Sequence, residues 1–109
     1  MAIEPINMSD DLKGLMARIR SKPDGVEHFY LSGSALSRLL DRLRCGDIDW
    51  EITLEVSDLL ESNDLVVFEP GKEEVIADAL FLLANPKING LPDSEEISEL
   101  ISRLSETRS

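Results

Sequence analysis

The sequence predicts a small, mainly α-helical fold: a bundle of about five helices in one domain, residues 1–109, with residues 1–8 and 107–109 frayed. Three observations lead there. Apolar residues recur at i, i+3, i+4 and i+7 in several segments, which lines them up on one helix face. Turn residues cut the chain into five or six pieces of helix or strand length. With 42% hydrophobic and 30% charged residues, 109 residues suit one folded core rather than a disordered chain.

The first helix follows Ser9, a good N-cap, with Asp10 and Asp11 in its first turn. Leu12, Leu15, Met16 and Ile19 form its apolar face, and Pro23 ends it. Gly14 weakens it by about 1 kcal/mol relative to alanine. Residues 26–31 read two ways, as a short helix started by Asp24 or as an extended connection. The next helix covers residues 34–44, where Leu36, Leu39, Leu40 and Leu43 repeat the helical spacing; a serine of Ser32-Gly33-Ser34 caps it and Gly46 stops it.

Residues 47–61 carry two signals. Ile48, Trp50, Ile52, Leu54 and Val56 alternate with polar residues as in a half-buried strand. Ile48, Ile52, Val56, Leu59 and Leu60 also lie at helical spacing behind Asp47 as a cap. The uninterrupted length favours helix, with residues 65–68 as an extended connection. The alternative is an α+β fold with a small hairpin of residues 48–56 and 65–68. A helix over residues 72–84 is apolar nearly all round, which marks a central helix or an oligomer interface. In the last helix, Asp93 and Glu96 make a capping box before the stripe Ile97, Leu100, Ile101 and Leu104.

Charge is the strongest functional signal. The chain carries 22 acidic and 11 basic residues, a net charge of −11. Residues 1–44 are close to neutral, so the acidity lies in the remainder. Between Arg44 and Lys72 there is no lysine or arginine, while Asp47, Asp49, Glu51, Glu55, Asp58, Glu61, Asp64 and Glu69 all fall there. On a helix Glu51, Glu55 and Asp58 share one face; on a strand Asp49, Glu51 and Glu55 do. Either way the segment turns an apolar side to the core and an acidic side to solvent. Such a face either solubilises the protein or docks a basic partner. It disfavours direct binding of nucleic acid or anionic membrane, which carry the same sign.

Catalytic and metal chemistry find little footing. One cysteine and one histidine exclude a multi-cysteine or multi-histidine metal site. Asp47, Asp49, Glu51, Thr53, Glu55 and Asp58 match the ligand spacing of a calcium loop, but Ile52 stands where glycine is required and Asp58 where a bidentate glutamate is. No glycine-rich phosphate loop or nucleophile elbow is present, and Cys45 and His28 form a dyad only on paper. The chain is read as non-enzymatic, without cofactor or metal. The unpaired cysteine and an amino terminus lacking a signal-peptide pattern point to the cytoplasm, and no apolar run approaches the ~20 residues that span a bilayer.

Residues Lys22-Pro23-Asp24-Gly25-Val26-Glu27-His28-Phe29-Tyr30 resemble the Pro-Asp-Gly turn and following aromatic-tyrosine helix of the colicin-type nuclease immunity proteins, and more broadly bacterial toxin-immunity proteins, including those of contact-dependent inhibition. The match covers about nine residues. Phe29-Tyr30 stands where that family has paired tyrosines, and one helix precedes the turn rather than two. The resemblance implies that Asp24, Glu27, Phe29 and Tyr30 face a toxin. Together with the acidic segment, this gives a partner-binding set of Asp47, Asp49, Glu51, Glu55, Asp58, Glu61, Asp64, Glu27 and Tyr30. The expected function is an immunity or inhibitor protein that neutralises a basic toxin, a nuclease domain. The alternative is a small acidic helical adaptor or secretion chaperone acting as a dimer through residues 75–84; monomer and homodimer both stay open.

Overall fold

Strands and helices alternate along the chain in the order β1 (Ile3–Pro5), α1 (Leu12–Ser21), β2 (His28–Leu31), α2 (Gly33–Arg44), α3 (Trp50–Ser62), β3 (Val66–Phe68), α4 (Glu73–Ala84) and α5 (Ser94–Ser105). These come from a computed structural model, which describes residues 3–9, 11–85 and 93–105. The fold is mainly α with a minor parallel sheet. The strands run in the spatial order β1-β2-β3, with Ile3 opposite His28, Pro5 opposite Tyr30, and Tyr30 opposite Val67. The ladder extends past the strand ends, where Ile6 N–H donates to Tyr30 and Phe29 N–H to Leu65.

This strand order decides where the helices go. Each crossover, α1 from β1 to β2 and the α2–α3 pair from β2 to β3, steps one strand in the same direction. Right-handed crossovers that all step the same way land on one face of the sheet. Side-chain burial agrees. Along residues 3–8, Ile6 and Met8 are buried while Ile3, Pro5 and Asn7 are exposed; in β2, Phe29 and Leu31 are buried while His28 and Tyr30 are half-buried. Phe29 and Leu31 share one core with Ile19 of α1, Leu36, Leu39 and Leu40 of α2, and Val56 and Leu60 of α3. Glu4, on that same face, pairs with Arg18 of α1. Helix α4 then packs on α3, and α5 on α2.

A polar seam joins the outer helices to the sheet. Lys72 Nζ donates to the Leu104 carbonyl at 2.6 Å, placing a cation at the carboxyl end of α5 where the helix dipole favours it. Gly33 lies beside it, and a Cβ there would come within 2.8 Å of the Leu104 carbonyl oxygen. This close approach of backbone to backbone is what requires glycine. The Glu69 carboxylate accepts from Gly33 N–H at 3.0 Å, and Ser32 Oγ from Ala35 N–H.

Several expectations need correction. Residues 3–8 form an edge strand and its buried extension rather than a frayed end; residues 107–109 lie outside the described residues. Asp11, not Ser9, caps α1, and Asp49, not Asp47, caps α3, its carboxylate accepting from Ile52 N–H at 2.9 Å. Within residues 26–31, His28–Leu31 form the strand β2, so the helix implied by the immunity-protein resemblance is absent there, and Phe29 is a core residue. Residues 50–62 are helical, and β3 pairs in parallel with β2, so the hairpin alternative is not formed. The buried stripe of α3 is Thr53, Val56, Ser57 and Leu60, with Ile52 and Leu59 on its flanks. The capping box forms, with Glu96 N–H donating to Asp93 at 2.9 Å.

Candidate functional site

The nine residues singled out from the sequence separate into those with structural work and those without. Asp49 is the N-cap of α3. Asp47 accepts from Arg42 Nε at 2.6 Å. Glu51, Glu55 and Asp58 stand one above the other on the outer face of α3, exposed and opposite the buried stripe. Glu61 and Asp64 are exposed where the chain leaves that helix for β3. Among the described residues the ion pairs are Arg18–Glu4, Arg42–Asp47, Arg44–Asp41 and Arg103–Asp78. None of them engages Glu51, Glu55, Asp58, Glu61 or Asp64.

The placement is electrostatically adverse. The last turn of α3 has no basic residue, so Glu61 faces the negative end of the helix dipole, whereas Glu51 in the first turn lies at its favourable end. Leu54, half-buried and outside the packed core, lies on the same side of α3 between Asp58 and Glu61. Trp50 begins the helix half-buried against the core, and its indole Nε1–H is buried without a partner among the described residues. Among the described residues this surface combines carboxylates that enter no ion pair with an apolar side chain on its flank.

Glu27 and Tyr30 lie elsewhere. Tyr30 sits on the face of the sheet away from the helices, together with Ile3, Pro5, His28 and Val67. Ile3 is 51% exposed, and neither Val67 nor Tyr30 packs against the core. Glu27 and Asp64, both exposed, lie just before β2 and β3, Asp64 in the turn where Val66 N–H donates to the Asn63 carbonyl. They make the amino-terminal edge of the sheet acidic. Asp64 and Glu27 thus lie towards one end of the sheet, while half-buried Tyr30 belongs to the face opposite Phe29.

A shallow cavity of about 300 Å³ opens at the carboxyl ends of β1 and β2, lined among others by Asn7, Ser32, Ser34 and Arg38. Its position at a helix amino terminus would suit an anion. The Glu69 carboxylate and Ser32 already occupy two of the amide donors there. Among the described residues no helix is long and apolar enough to cross a membrane.

Comparison with known protein families, curated proteins and solved structures returns no match. What the fold and surface define is a class: a mainly helical domain with a three-stranded parallel sheet and a helix whose exposed face is acidic. Sequence reading missed Ile3, Pro5, His28 and Val67. The signal for the first two was present in the alternation of residues 3–8, short as it is.

Proposed function

We propose that this protein is a non-enzymatic binding protein that docks a basic protein partner and neutralises it, as a cytoplasmic immunity protein does with a nuclease toxin. The observation that carries the reading is the outer face of α3, where Glu51, Glu55 and Asp58 have no cation among the described residues and the last turn has no base. Like charges at i, i+4 on one helix face repel, and Glu61 beside them stands at the negative end of the dipole, both of which destabilise the free protein. A basic surface relieves that repulsion and is steered to it. A nuclease presents such a surface because it must hold phosphate. The adaptor reading rested on the apolar circumference of α4, and that circumference is used inside the fold: Ile76, Ala79, Leu80 and Leu83 are buried, leaving Phe81 outside.

The test is affinity capture from the native host at low and high salt, followed by association kinetics with the captured protein. A single basic protein released by salt is expected. Reversal of Glu51, Glu55 and Asp58 to lysine should slow association about tenfold or more at low salt, with a smaller effect on dissociation. A partner held equally at both salts, or an unchanged association rate, would overturn the reading.

A further inference from the structure

We draw no further inference here: the strongest candidate, the shallow cavity at the carboxyl ends of β1 and β2 beside the amino terminus of α2, rests on that helix end alone, since Glu69 and Ser32 already take two of its amide donors and Arg38, which lines it, is exposed to solvent.

Discussion

The two faces of β2 have the same backbone and opposite fates. Phe29 and Leu31 are fully buried among helices, while His28 and Tyr30, their immediate neighbours, stay half-buried on the face opposite them. Local sequence agrees with this difference, since Phe29 and Leu31 are wholly apolar while His28 and Tyr30 carry polar groups. Topology selects it too: two crossovers stepping the same way supply one layer and leave the other side open. In β2 the direction of the connections and the hydrophobicity of the residues therefore select the same face.

The sharpest way to break the comparison is to truncate a residue on each side. Phe29→Ala removes a fully buried ring and should cost about 3–5 kcal/mol. Tyr30→Ala, one residue on, should cost about 1 kcal/mol or less. Urea denaturation of both variants measures the difference. Equal losses would mean that the outer face is packed as tightly as the inner one.

The same contrast explains what was legible in the sequence. The helices were, because each carries its own period and cap. Leu36, Leu39 and Leu40 announced α2, and Asp93 with Glu96 announced α5. The sheet was not, because its strands are three or four residues long and pair across 25 or 37 positions of sequence. No local pattern carries a partner that distant. In α3 a real alternation from Ile48 to Val56 imitated a strand, and the Asp49 cap and thirteen-residue length prevailed. The acidic face was legible because it holds for either conformation. The open sheet face was not, because it follows from strand order alone.

The seam between α2 and α5 tests the covered side from a different direction. Gly33→Ala puts a methyl group 2.8 Å from the Leu104 carbonyl oxygen and 3.0 Å from Lys72 Cδ. Lysine can move, but the backbone oxygen can do so only by shifting α5. The expected loss is about 1–3 kcal/mol, as for overpacking elsewhere. A melting point unchanged from wild type would show that α5 rides loosely on α2.

Helix α3 carries both kinds of residue at its two ends, and substitutions there should have opposite signs. Asp49→Ala removes the N-cap and should cost about 1 kcal/mol. Glu61→Lys replaces a carboxylate at the carboxyl end by a cation and should stabilise by about 0.3–1 kcal/mol in low salt. If the acidic face serves binding, the more stable Glu61→Lys protein is also the poorer binder. Thermal melts at low salt, paired with association rates, report both quantities on one variant. Destabilisation by Glu61→Lys would mean that the carboxylate has a stabilising role in the free protein.

The smallest expected effect concerns the edge of the covered face, where Glu4 of β1 meets Arg18 of α1. The hydrogen bond from Arg18, aided by its charge and opposed by partial burial, holds the Glu4 carboxyl below its ordinary value. The same contact raises Arg18 further above its own, far outside the range of interest. A carboxyl group depressed on folding adds stability that is fully present above its unfolded pKa, near 4.5. That stability is lost as pH falls through the lower folded value. Wild type should therefore lose slightly more stability than Arg18→Gln on acidification from about pH 6 to pH 3. Both partners are well exposed, so salt should shrink the difference. Parallel stability profiles at low salt would mean that the pair does not anchor α1 to the sheet edge, leaving packing of Met16 and Ile19 to hold that helix on the covered face.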